Sequence, residues 1–141
     1  MDDYPTAFIS RCLDTKQLYN QNRKIAAMHL GGITIECLLK KVCFIYHGLS
    51  DWEQVSKRTG KIIYNPKHRL SVLISLINSL YIRASYNQQI MDALKKVQEP
   101  CGLDYILWRY QGNEPGKAEF DDWYKSYLTL LKWLLVQIKT I

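Results

Sequence analysis

NRKIAAMHLGGITIECLLKKVCFIY, residues 22–46, decides the fold of this 141-residue chain. The stretch is apolar on almost every side, and a helix apolar most of the way round belongs in the middle of a bundle. Glu36 and Lys40 lie four residues apart within it. That spacing puts them on one helical face, with the acid first, the favourable order for an ion pair. The two read as a structural pair at the edge of the core, reaching Arg109 or Tyr110, with a functional pair as the alternative. Gly31 and Gly32 sit mid-helix, where each glycine costs roughly 1 kcal/mol relative to alanine, so a close crossing by another helix is expected. His47 and Gly48 supply the stop.

Before this stretch, Thr6 reads as the cap of a first helix with Phe8, Cys12, Thr15 and Leu18 at helical spacing. Residues 19–23 (YNQNR) form a polar break. After it, Ser50 or Asp51 caps a short helical turn that Gly60 ends, and Ile62, Ile63 and Tyr64 read as extended. Asn65 and Pro66 open the next helix as cap and first turn. Leu70, Leu73, Ile77, Leu80 and Ala84 form one apolar stripe. Tyr86 and Asn87 interrupt it, Ile90, Leu94 and Val97 resume it, and Pro100 and Gly102 end it. Residues 102–118 are a loop with one helical turn. From Glu119 a final helix carries Phe120, Trp123, Tyr127, Leu130, Leu131, Leu134 and Ile138, with Asp121 and Asp122 near its positive end. With so little strand signal, the chain reads as all-α, an up-and-down helical bundle of four or five helices.

Hydrophobic residues make up 48% and aromatics 12%, enough for one domain over residues 1–141. The net charge of +6, from 19 Lys and Arg against 13 Asp and Glu, leans toward anionic partners. Cys12, Cys37, Cys43 and Cys101 make no CxxC pair, and with His29, His47 and His68 they lack metal-ligand spacing. No metal and no cofactor is therefore expected. Cys37 and Cys43 read as small core hydrophobes, and reduced thiols suit a cytoplasmic protein. MDDYPTAF lacks the basic start and apolar run of a signal peptide. Lys40 and Lys41 interrupt the best apolar run below the roughly 18 residues a bilayer span needs, so no membrane association is expected.

Two groups of residues are candidate anion sites. Lys57, Arg58, Lys61, Lys67 and Arg69 are the densest basic stretch, with Trp52 and Tyr64 beside them. Cations with aromatics bind single-stranded nucleic acid by phosphate contact and base stacking. The alternative is a solvated loop. Arg109 and Tyr110 precede GNEPGK (residues 112–117), which ends in Lys117 and lacks the arrangement of a P-loop.

Three motifs, in order, carry a resemblance. ITIECLLKK contains a Glu-x-x-x-Lys step, His68-Arg69-Leu70-Ser71-Val72-Leu73 is a His-x-Leu-x-x-Leu helix start, and Leu107-Trp108-Arg109-Tyr110 places Arg-Tyr before the last helix. Together they resemble the HEPN domain family (higher eukaryotes and prokaryotes nucleotide-binding), over about residues 6–138. The resemblance implies a helical bundle, often a homodimer. Many members are RNases, or toxins paired with a nucleotidyltransferase antitoxin. Others are inactive RNA-binding or scaffold domains. The RNase members place a His four to six residues after an Arg near the last helix, the Arg stabilising a phosphate and the His assisting proton transfer.

Here Arg109 is followed by Tyr110, Gln111, Gly112, Asn113, Glu114, Pro115 and Gly116, and no His follows His68. Glu114 is the one ionisable group at that distance. Arg23 and His29 satisfy the written pattern, but at the start of the central helix. Six helical residues turn about 600°, so the two side chains should diverge by roughly 120°. Short motifs recur by chance, and this one reads as such a match.

The leading expectation is a cytoplasmic HEPN-like homo-oligomer, non-catalytic or degenerate, that binds RNA, a nucleotide or a protein partner. Its binding residues would be Arg109, Tyr110, Lys117, Lys57, Arg58 and Lys61. One alternative is an RNase toxin using a non-standard acid-base group, with Arg109, Glu114 and His68 as catalytic candidates and a nucleotidyltransferase as partner. Another is a structural scaffold subunit. His68 also reads as a cap or interhelical hydrogen-bond partner.

Overall fold

The computed structural model describes residues 2–141, and Met1 lies outside the described residues. Its backbone is 69% helical. The α-helices are α1 (Tyr4–Asn20), α2 (Lys24–His47), α3 (Leu70–Ser75), α4 (Asn78–Ser85), α5 (Gln88–Gln98) and α6 (Lys117–Gln137). The mostly α helical bundle follows the apolar periodicity of the chain, with six α-helices among the described residues in place of four or five. Among the described residues no helix is long and apolar enough to cross a membrane.

α2 is the axis. It packs against α1, α3, α5, α6 and the 3-10 turn Leu107–Tyr110. Ala27, Met28, Ile35, Leu39 and Cys43 are fully buried along it. α1 runs antiparallel to it. Thr15 meets Thr34 at 3.2 Å, and Tyr4 meets Phe44 with ring centroids 5.4 Å apart. α5 and α6 form a second antiparallel pair, tied at the surface by Lys96 and Asp122 at 2.9 Å. Gly48 ends α2 in the left-handed region at φ 67°, the conformation that suits a glycine C-cap.

The two mid-helix glycines do admit close neighbours, but these are rings rather than a helix backbone. A Cβ on Gly31 would meet the indole of Trp123, and one on Gly32 would overlap the ring of Tyr105. Trp123 and Tyr105 are almost completely buried. The free-energy cost of helical glycine is thus offset by aromatic burial against bare backbone.

Several local expectations are corrected. Asp3, not Thr6, caps α1, its carboxylate accepting from the Thr6 backbone N–H at 3.1 Å. Residues 50–60 hold no helix capped by Ser50 or Asp51; a single turn that Gly60 ends closes further on, its N–H donating to the Ser56 carbonyl at 2.9 Å. The segment carries β1 (Gln54–Val55), which pairs antiparallel with β2 (Ile62–Ile63) in the register Gln54↔Ile63 and Val55↔Ile62. Ile62 and Ile63 are extended, as the sequence suggests. Asn65 does not cap a helix: its side chain accepts from the Lys67 N–H at 2.8 Å, and α3 starts only at Leu70. Gln98 replaces the missing cap, accepting from the Leu70 N–H at 2.7 Å.

The single stripe from Leu70 to Ala84 is broken at Leu76–Ile77 into α3 and α4, although Leu70, Leu73, Ile77, Leu80 and Ala84 all remain buried. His47 stabilises the break. Its Nε2–H donates to the Leu76 carbonyl at 2.6 Å, and its Nδ1 accepts from Ser56 Oγ at 2.7 Å. One buried imidazole thereby joins the end of α2, the hairpin and the α3–α4 corner.

The glycine contacts give an expected outcome. Gly32→Ala forces Tyr105 to move and should cost about 1–3 kcal/mol, the range for overpacking a filled core. Gly112→Ala, where an added Cβ meets nothing within 4 Å, should leave the thermal midpoint unchanged. Thermal denaturation followed by circular dichroism checks both.

Candidate functional site

Glu36 is buried, with 8% of its side chain exposed, and its carboxylate is fully occupied. Oε2 accepts from Lys40 Nζ at 3.0 Å, while Oε1 accepts from His68 Nδ1 at 2.7 Å and from the Tyr105 hydroxyl at 2.5 Å. The Glu36–Lys40 pair therefore forms as its spacing indicates. It reaches Tyr105 and His68, where Arg109 or Tyr110 had been expected. A buried carboxylate needs such donors to remain charged. Burial, then the neighbouring Glu36 charge, pushes the Tyr105 hydroxyl well above the usual tyrosine range, so it stays protonated and donates.

The same network orients two histidines. Carboxylate and carbonyl oxygens only accept, so each bonded ring nitrogen carries the proton. His68 points Nδ1–H at Glu36, and half of its side chain is exposed. His29 points Nδ1–H at the Tyr105 carbonyl, 2.9 Å away. In both rings Nε2 has no hydrogen-bond partner among the described residues.

His29 opens on a cleft of about 330 Å³ lined by Arg23, Ile25, Ala26, His29, Arg109 and Glu114. Arg23 and His29, expected to diverge, both line this cleft. Arg23 is the N-cap of α2, with non-helical φ −86° and ψ 79°, so helical angles do not govern it. Its long side chain joins the wall from outside the helix. Lys24 Nζ donates to the Pro115 carbonyl at 2.9 Å and ties the 112–116 loop across the start of α2. Arg109 lies 4.8 Å from the centre of the exposed Tyr110 ring. Neither Arg23 nor Arg109 has an ion-pair partner among the described residues.

The other candidates stand elsewhere. Lys117 pairs with Asp121 at 3.0 Å over the Tyr19 ring, and the Tyr19 hydroxyl donates to the same carboxylate at 2.8 Å. Those donors, Tyr19 first, hold Asp121 below the usual carboxylate range. Arg58 is engaged by the end of α2: its Nε donates to the Tyr46 carbonyl at 3.0 Å, and its guanidinium stacks 3.9 Å above the Tyr46 ring. The stem of Lys57 packs on Gly48. Lys61 is exposed on the hairpin. The cleft wall contains none of Lys57, Arg58, Lys61 or Lys117. The structure thus groups Arg109 and Glu114 with Arg23 and His29, and places His68 with Glu36.

Tyr105 is the residue that sequence reasoning missed. Nothing local distinguishes it among ten tyrosines. The available signal was indirect: adjacent glycines in an apolar helix imply a bulky group seated on them. Among the described residues no cluster of three or more His, Cys, Asp or Glu side chains could hold a metal ion. All four cysteines are free. Burial raises the Cys37 thiol to about 11 and the Cys43 thiol to about 12, which makes both unreactive at neutral pH.

Glu36→Ala leaves Lys40 charged and buried without its partner, and should cost about 3–5 kcal/mol in chemical denaturation. The double variant Glu36→Leu with Lys40→Met removes both charges and should cost less than the single change. A single variant no less stable than the double one would contradict this account of the network.

Comparisons with protein-family models, curated proteins and solved structures found no match to this chain.

Proposed function

We propose that this protein is a HEPN-like RNA-binding domain whose cleft at Arg23, His29 and Arg109 receives the phosphate backbone of a single strand. The observation that carries the reading is two unpaired arginines converging on one cleft with an oriented imidazole. Arginine forks match phosphate oxygens in geometry as well as charge. Tyr110, 71% exposed beside Arg109, offers a face for a base to stack on. The net charge of +6 favours approach of a polyanion. Glu114 on the same wall repels phosphate, so the strand is held toward the arginine side. A homodimer, the arrangement the resemblance implies, would set two such clefts beside each other. A nucleotidyltransferase partner belongs to the RNase-toxin reading, not to this one.

One observation favours a second reading, a metal-independent RNase. His29 is fixed with Nδ1–H bonded to Tyr105, which leaves Nε2 free to take a proton from a 2'-hydroxyl while an arginine stabilises the phosphate. His29, rather than Glu114 or His68, would then be the acid-base group.

The test is binding of labelled single-stranded RNA over a salt series in EDTA, with a denaturing gel run on the same samples. Arg109→Ala should weaken binding and lower the slope of log affinity against log salt by about 1, as expected for one lost phosphate contact. Unchanged affinity and slope would overturn the proposed cleft. Cleavage by the native protein that disappears in His29→Ala while binding persists would select the RNase reading.

A further inference from the structure

The His68 pocket is separate from the Arg109 cleft. It has a volume of about 470 Å³ and is lined by Asn65, Pro66, Lys67, His68, Arg69 and Val72. Lys67 and Arg69 are exposed and have no ion-pair partner among the described residues. His68 stands between them in sequence, held from behind by the buried carboxylate of Glu36 at 2.7 Å. The loop is fixed on both sides. Gln98 Nε2 donates to the His68 carbonyl at 3.1 Å, and the Tyr105 hydroxyl reaches the same oxygen at 3.2 Å. Lys67 is held at φ 58°, in the left-handed region that costs a lysine free energy.

A network serving stability alone would be complete with Glu36, Lys40 and Tyr105, all buried. This one extends to a half-exposed imidazole that lines a cationic pocket. The carboxylate fixes the ring's tautomer and offsets a positive charge on it.

We propose that the Asn65–Arg69 loop is a phosphate-binding site for a phosphomonoester, with His68 Nε2, Lys67 and Arg69 as the groups that contact it. A bound phosphate shares a proton with Nε2, drawn from its own monoanionic form or from solvent. Glu36 stabilises the resulting imidazolium, and the two flanking cations neutralise the remaining phosphate charge. The same chemistry arises from free phosphate and from the 5' end of an RNA strand.

Imidazole two-bond proton–nitrogen NMR spectra of the full chain separate the sources. There are only three histidines, and His68→Gln assigns the His68 signals. Inorganic phosphate, a 5'-phosphorylated RNA oligonucleotide and its 5'-hydroxyl form are titrated in turn. The site requires that phosphate or the 5'-phosphorylated strand move His68 Nε2, and that Lys67→Ala with Arg69→Ala weaken that response about tenfold through loss of charge-assisted contacts. A response to inorganic phosphate identifies a free-phosphate site. A response only to the 5'-phosphorylated strand identifies an RNA end. No movement with either probe, or an unchanged response in the double variant, overturns the proposal. Arg109→Ala should leave the His68 response to phosphate intact, so failure of the cleft and failure of this pocket give different results.

Discussion

The Glu36 carboxylate is the constraint around which both pockets are arranged. It is buried on the central helix and must receive donors from wherever the fold can supply them. Lys40 comes from the same helix, one turn on. His68 comes from the loop before α3, and Tyr105 from the segment after α5. Three separate parts of the chain are thereby fixed to one pair of oxygen atoms. Tyr105 then passes the constraint on, because its carbonyl receives His29. The His68 pocket and the Arg109 cleft lie at the two ends of this chain of bonds.

Aromatic packing supplies the rigid frame behind it. Trp123 and Tyr105 occupy the space left by Gly31 and Gly32. Phe120, Trp123 and Tyr127 stack along α6, with centroids 5.8 and 5.5 Å apart. Tyr19 of α1 stacks on Tyr124 at 3.6 Å and closes the α1–α6 side. Charge is distributed accordingly. Inside, Lys40 is paired and His47 is fully hydrogen-bonded. At the surface, Arg23, Arg109, Lys67 and Arg69 have no ion-pair partners among the described residues. In both pockets unpaired cations stand beside an oriented imidazole, the arrangement from which phosphate binding is proposed.

Much of the helical order was legible from spacing. The apolar run of α2, the Glu36–Lys40 step, the Gly48 stop, the Asn87 interruption and the α6 stripe all appear where the periodicity puts them. The hairpin was not legible, because strands of two residues are too short to show an alternating pattern. The α3–α4 corner was hidden because its two helices bury the same side and keep one continuous stripe. Of the cleft, Arg109 and Glu114 were singled out in the sequence, and both line it. Arg23 and His29 were set aside on helical geometry that does not hold at an N-cap, and Tyr105 carried no local signal.

The sequence by itself determined that this chain is a helical bundle built on α2. Apolar spacing, glycine and capping act over a few residues, and a single chain displays them in full. Tertiary structure decided which polar groups meet. His68 is 32 residues from Glu36 and Tyr105 is 69. Their union depends on the unmet hydrogen-bond demand of a buried carboxylate, satisfied by whichever donors the packed helices bring within reach. That demand has no period along the chain, so it becomes visible only when the helices are assembled.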